Sequence, residues 1–376
     1  MWLLLALVLA LGTCRFTDSQ DSKLDILLED TEDEHGVKAA SREINDMLSE
    51  SMFYRKFYQS IHDGNAVTVK ELLDLDTFRT RAINSFFDID RQGNFMGKPK
   101  KSALHIACEA NQVEMAELLM ERGASLELKD DTLFTPLMVA TSSGYTKLSK
   151  LLMEAGADVN ATGHRGISSL LMATKGQFKE IVEDLIYHGV NVNALNEQNF
   201  SAVMIASGAG RLDLVKILID AGADVNVKET SNNTALSWAV FQTQEAVVQF
   251  LLENGAGQSI PQMNSYGMKC IHLATVKNST SILQMLLDHG ANISDLNRDG
   301  KTALHFAAEI KHLDIVAQFL IIKGIDIDIV WEKGIEKIPY SAYAVAKANG
   351  NDKVIKLIDG RVESLKTRKQ EKNVEL

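Results

Sequence analysis

The stretch from Ser201 to Asn226, SAVMIASGAGRLDLVKILIDAGADVN, decides the fold. It opens on a hydroxyl residue suited to capping a helix N-terminus. Val203 and Ala206 follow three residues apart, so they face the same way on a short first helix. Beyond the break at Gly208-Ala-Gly210, Leu214, Val215, Ile217, Leu218 and Ile219 form a second amphipathic stretch. Gly222 ends it, where a helix C-cap needs a positive φ. The same pattern extends outward in both directions. Ala206 belongs to a column with Ala107, Ala140, Ala173, Ala239, Ala274, Ala307 and Ala346, and five of the seven intervals are 33 residues. A side chain kept that small once per unit means that another backbone passes close there, the mark of like units stacked on each other.

Other columns keep this register. Five residues before each Ala stand Ser102, Thr135, Ser168, Ser201, Thr234, Lys269, Thr302 and Ser341, of which only Lys269 lacks a hydroxyl. Two residues after the cap, Leu104, Leu137, Leu170, Val203, Leu236, Ile271, Leu304 and Tyr343 supply an apolar anchor. Second helices end on Gly123, Gly156, Gly189, Gly222, Gly255 and Gly290, with Gly324 one residue late. The helix starts Ser102-Ala-Leu-His105, Thr135-Pro-Leu-Met138 and Thr302-Ala-Leu-His305, and the unit ends Gly156-Ala-Asp-Val-Asn160 and Gly222-Ala-Asp-Val-Asn226, resemble the ankyrin repeat. The resemblance covers the chain from Phe53 to Ile358. It implies an all-α solenoid of about eight or nine helix-turn-helix units joined by β-hairpin-like turns. A degenerate first unit fits Phe57 to Leu73 with Gly64 at its turn, and a last one fits Ser341 to Ile358.

A solenoid grows by addition, so the repeats are expected to form one long domain over residues 51–360 rather than two or three globular ones. The net charge of −11 is uneven: residues 17–50 carry eleven acidic residues against Lys23, Lys38 and Arg42, which supplies −8 of the total. Residues 15–50, acidic and poor in aromatics, are expected to be mostly disordered, and 361–376 to form a charged helical tail. A helix over Ser41–Tyr58, with Ile44, Met47, Leu48 and Met52 on one side, would cap the first unit. A long insertion between Asp74 and Lys101 breaks the period, and Phe78, Ile83, Phe86 and Phe87 indicate that part of it packs down. The repeat body is nearly neutral and has no basic stripe, which argues against nucleic acid as a partner.

Met1 to Gly12 is an apolar run, too short for an ordinary membrane span of about 20 residues. Residues 1–14 therefore read as a signal peptide with cleavage near Thr13, although the run carries no Lys or Arg before it. That places the chain in the secretory pathway, secreted or in the endoplasmic reticulum lumen. The alternative is a cytoplasmic regulator whose N-terminus is uncleaved or wrongly assigned. In the secretory pathway the sequons at Asn160, Asn199, Asn232, Asn278 and Asn292 would be open to glycosylation. Asn373-Val-Glu-Leu376 resembles an endoplasmic-reticulum retention signal, with Val374 where an acidic residue belongs. Cys14 falls in the leader. Cys108 and Cys270 lie five units apart, on the order of 40 Å, so they read as free thiols beyond the reach of a disulfide.

No catalytic, metal or cofactor constellation emerges. Asp295-Leu-Asn297-Arg-Asp299-Gly300 and Asp88-Ile-Asp90-Arg-Gln-Gly93 open like calcium loops, but Phe306 and Pro99 stand where a bidentate Glu is needed. A tight turn at Asp299-Gly300 before a helix accounts for the first of these. His105, His272 and His305 share the helix-start column, where the resemblance implies hydrogen bonds that tie adjacent units. His62, His164, His188, His289 and His312 fall at turns or helix ends of different units, with no pair at metal-ligand spacing. The expectation is a protein without enzymatic activity, cofactor or metal.

In proteins similar to this one, ligands lie on the concave side, against the turn tips before each first helix and that helix's exposed face. Immediately before the caps stand Lys101, Phe134, Ile167, Phe200, Asn233, Met268 and Lys301. Tyr266 lies on a turn, and Phe241 falls seven residues after its cap. At about 10 Å per unit, Phe134, Ile167, Phe200, Phe241, Tyr266 and Met268 would line up as an exposed apolar stripe that takes a protein segment. His164, Arg165, Lys175, Glu197 and Gln198 would supply a polar rim. The alternative is that each apolar side chain folds over its neighbour's turn and serves stacking alone. The expected protein is a monomer that meets no membrane beyond its leader. A secreted toxin-like activity is the rival, weakened by the lack of any other long apolar segment.

Overall fold

The computed structural model describes residues 53–74, 83–84, 101–333 and 338–374. The leader, the acidic segment, the part of the expected capping helix before Phe53, and Phe78, Phe86 and Phe87 of the insertion lie outside the described residues. The chain divides into two compact units, residues 1–190 and 191–376. The first holds α1 (53–62), α2 (Ala66–Asp74), α3 (Ala103–Glu109), α4 (Val113–Glu121), α5 (Pro136–Ser142), α6 (Thr146–Glu154), α7 (Ser169–Gly176) and α8 (Lys179–Tyr187). The second holds α9 (Ala202–Gly208), α10 (Leu212–Asp220), α11 (Ala235–Phe241), α12 (Glu245–Glu253), α13 (Cys270–Val276), α14 (Thr280–Asp288), α15 (Ala303–Glu309) and α16 (Asp314–Ile322). An antiparallel hairpin, β1 (Val330–Lys333) and β2 (Ile338–Ser341), then leads to α17 (Ala342–Ala348) and α18 (Asp352–Val374). The described residues thus contain nine helix pairs in the expected all-α fold.

The cap column starts the first helices as anticipated. The hydroxyls of Thr135, Ser168, Ser201 and Ser341 accept the backbone N–H three residues on, and Pro136 occupies the first turn of α5, where its missing N–H costs nothing. Lys269 reaches the same end by other means. Its N–H donates to His272 Nδ1 at 3.1 Å, and its Nζ pairs with Asp295 at 2.7 Å. At the far end of the second helices, Gly222 shows why glycine stands there: its φ is +89°, a conformation in which a Cβ would be strained.

First helices of successive repeats pack on one another, α3 on α5 and α5 on α7 in one unit, α9 through α17 in sequence in the other. All eight column alanines are fully buried at these crossings. The anchors Leu104, Leu137, Leu236 and Leu304 are fully buried too. Tyr343, expected as an anchor, is only half-buried, because no further helix pair follows among the described residues to cover it. His105, His272 and His305 take the role that the resemblance implied. Each Nδ1 accepts the N–H of its cap residue, and each Nε2 donates to a carbonyl of the following repeat: Phe134 at 2.8 Å, Asp295 at 3.0 Å and Tyr340 at 3.1 Å. Burial holds all three imidazoles below their ordinary pKa, His272 down to about 4.

Two features add to the sequence reading. The insertion rejoins the repeat pattern at Ile83-Asn84. Asn84 donates to Gly123 O and accepts from Ser125 N, just as Asn193 clamps Gly222 and Asp224 one repeat further on. Ile83 is buried, as expected. At the other end the helical tail expected beyond residue 361 is continuous with the last second helix: α18 runs 23 residues through Gly360 to Val374, against nine for the other second helices of the second unit. No Ala-Asp-Val-Asn sequence follows Gly360 to turn the chain, and Lys, Arg, Glu and Gln, all good helix formers, follow instead.

Candidate partner-binding site

Three consecutive turn tips of the second unit are built in one way. Asn196 Oδ1 accepts the N–H groups of Gln198 and Phe200, each at 2.9 Å. Asn264 Oδ1 accepts those of Tyr266 at 3.1 Å and Met268 at 2.9 Å. Between them Glu229 does the same work with a longer side chain. Its carboxylate accepts from Ser231 N at 2.7 Å, Asn233 N at 3.1 Å, Asn233 Nδ2 at 2.7 Å and the Thr230 hydroxyl at 3.2 Å, and the residue is 3% exposed. The tips are joined to one another by Thr230 N to Gln198 O, Ser265 N to Ser231 O and Asn264 Nδ2 to Asn233 Oδ1. A loop with its polar groups so fully used is rigid, and it fixes where the residues just before the caps point.

Those residues, with Trp238 and Phe241 of α11 and Leu273 of α13, line an open pocket of about 660 Å³, within the range of about 300–1,000 Å³ found for ligand sites. Phe200, Trp238, Phe241 and Tyr266 supply its rings, Met268 and Leu273 its aliphatic surface, and Gln198, Glu229, Ser231 and Asn233 its polar edge. The ring centroids of Phe200 and Trp238 lie 5.6 Å apart, and Trp238 meets Phe241 edge-on at 6.4 Å. Phe241 is 41% exposed and Tyr266 74%. Lys277 Nζ lies 3.9 Å from the centroid of Phe241.

Four of the six predicted partner-binding residues, Phe200, Phe241, Tyr266 and Met268, therefore line a single pocket. Phe134 and Ile167 belong to the first unit and are half-buried. The Phe134 ring covers Gly163 so closely that a Cβ there would meet it at 2.5 Å, so this side chain stacks over the neighbouring turn. Of the predicted polar rim only Gln198 lines the pocket. Sequence reasoning missed Trp238 and Glu229. Trp238 stands three residues before Phe241 and so shares its helix face, and Glu229 fills the column where Asp130, Asn196, Asn264 and Asn297 brace the other turns.

Cys108 and Cys270 are buried, and burial pushes both thiols up, Cys270 to about 12. Among the described residues no three His, Cys, Asp or Glu side chains are grouped to hold a metal, and no helix is long and apolar enough to cross a membrane. The Asp299-Gly300 turn is braced by Asn297 Oδ1, which accepts from Asp299 N and Lys301 N, as the tight-turn reading requires. All five sequon asparagines are exposed, and Asn199, Asn232 and Asn278 have φ near +60°.

No curated protein matches the chain. The family model for ankyrin repeats matches three times, over residues 57–163, 170–263 and 256–330. Its span takes in every helix pair but the last, and the capped short helix, buried alanine, interrepeat histidine bond and glycine turn recur within it at the period of the match. The chain belongs to the ankyrin-repeat family, whose repeats serve as protein–protein interaction scaffolds.

Proposed function

We propose that this chain is a non-catalytic recognition scaffold of the secretory pathway and that its partner segment, extended or helical, seats in the pocket formed by Phe200, Trp238, Phe241, Tyr266 and Met268. The exposure of Phe241 and Tyr266 around a pocket whose backbone is already braced carries this reading. Exposed aromatic anchors held on a rigid frame lose little entropy on binding, which is the usual character of interface hot spots. Selection of random twelve-residue peptides on the intact protein, set against the variant with Phe241→Ala and Tyr266→Ala, tests it. Enriched peptides should lose at least about ten-fold in affinity on the variant, with helical circular dichroism unchanged. Equal enrichment on both proteins would falsify the proposal.

The secretory part rests on the apolar run Met1–Gly12 and on the exposure of Asn160, Asn199, Asn232, Asn278 and Asn292. One observation weakens the support that the sequons give to this reading over the cytoplasmic alternative. Asn tolerates positive φ better than most residues, and a hydroxyl is wanted two positions later at the cap, so the sequons at Asn199 and Asn232 arise from repeat chemistry alone. These two also flank Gln198, Phe200, Ser231 and Asn233, so a glycan on either would stand beside the pocket. N-terminal sequencing and a glycosidase shift on protein from its source separate the two readings.

A further inference from the structure

We infer that the pocket before α11 takes the guanidinium of an arginine side chain in the partner segment, an assignment that rests on the pocket being the partner site. Four aromatic rings line it, and the π-faces of such rings are negative and attract cations. One cation of this chain already lies on them: Lys277 Nζ, 3.9 Å from the Phe241 centroid. The Glu229 carboxylate adds a negative charge behind the polar edge, and no Lys or Arg lines the pocket to neutralise it. Its oxygens are taken up by four donors of the turn, so it contributes field rather than a free acceptor.

A compact ammonium is strongly hydrated and would give up water for few acceptors here. A guanidinium is planar, more weakly hydrated and stacks on aromatic faces, while the Gln198 amide and Tyr266 hydroxyl on the lining can accept its N–H groups. An anionic group would be opposed by the field of the Glu229 carboxylate, and an aliphatic one would make no use of it. Lys277 is then a competitor: it holds one ring face and repels the incoming charge.

The peptides acetyl-Gly-Gly-X-Gly-Gly-amide, with X as Arg, citrulline, Leu or Glu, can be titrated into the full chain while the Trp238 indole N–H is followed by NMR. The Arg peptide should bind about five-fold more tightly than the citrulline peptide, which keeps the shape and loses the charge. Lys277→Gln should tighten Arg binding by about two-fold, and Phe241→Ala should weaken it. Citrulline or Leu binding as well as Arg, or Lys277→Gln weakening the Arg peptide, would overturn the assignment and leave the pocket standing as a partner site. A Trp238 signal unmoved by any peptide also overturns it, and the random-peptide selection then decides independently whether the pocket binds at all.

Discussion

The repeat that starts at Thr302 closes its surface with charge, and the repeat that starts at Thr234 has no such pair in the same two positions and leaves a ring open. In the first, Lys301 stands before the cap and Glu309 seven residues after it, and their side chains meet at 2.6 Å with Lys301 Nζ 5.5 Å from the Phe306 ring centroid. Lys101 and Glu109 repeat this pair in the first unit. In the second, Asn233 and Phe241 occupy those columns, and Phe241 is left exposed beside Tyr266. Beneath both surfaces the frame is the same: Leu236 and Leu304, Ala239 and Ala307 are all fully buried. Stacking therefore dictates the inner columns, while the position before the cap and the one seven beyond it are free to close a surface or to open one.

The largest effects should fall on what the two repeats share. Leu236→Ala and Leu304→Ala each remove a buried anchor and should cost about 2–5 kcal/mol in urea unfolding, to a similar extent. A change confined to one of them would break the claim of a common frame.

The next effect separates the two repeats by pH. The Thr302 repeat and its predecessor carry His305 and His272 in a column where the Thr234 repeat has Ser237. A histidine whose folded pKa is lowered contributes its full stability above the unfolded value of about 6.5 and loses it as pH falls towards the folded value. For His272 that window runs down to about 4, and the loss across it is on the order of 3 kcal/mol. The imidazole must stay neutral for Nδ1 to accept the cap N–H. His272→Asn, unfolded at pH 7 and pH 4.5, should show a flatter pH dependence than the parent, and an unchanged slope would count against this role.

The smallest effect on stability should accompany the clearest effect on binding. Asn233→Lys with Phe241→Glu transplants the Lys–Glu closure onto the open repeat, in columns that already accept it at two places in the chain. Stability should change by no more than about 1 kcal/mol, while selected peptides no longer bind. Retained binding would show that the open ring face is not what they recognise.

The buried frame was legible because it recurs. A requirement repeated every 33 residues leaves the same residue type in the same place, as the alanine, cap and glycine columns do. Phe241, Tyr266 and Met268 could be picked out as large apolar side chains in columns that the frame leaves free. Trp238 was hidden among helix positions that read as ordinary core, and Glu229 stood for an asparagine whose function it performs through a longer arm. Asn84 was concealed by the insertion, which moved it out of register while leaving its two bonds intact. Phe134 illustrates the opposite case: its column matched that of Phe200, but Gly163 leaves room beside it, and the ring lies down on its neighbour.

The sequence by itself determined the repeat, its stacking alanines and the boundaries of most helix pairs, because these follow from local periodicity and the chemistry of caps and turns; the histidine ties came from the family resemblance. Only the tertiary structure decided which exposed rings converge. Phe200, Trp238, Phe241 and Tyr266 come from two turn tips and a helix of neighbouring repeats, and whether such side chains meet depends on the bracing of the tips and on the room their neighbours leave. Periodicity along one chain does not encode either.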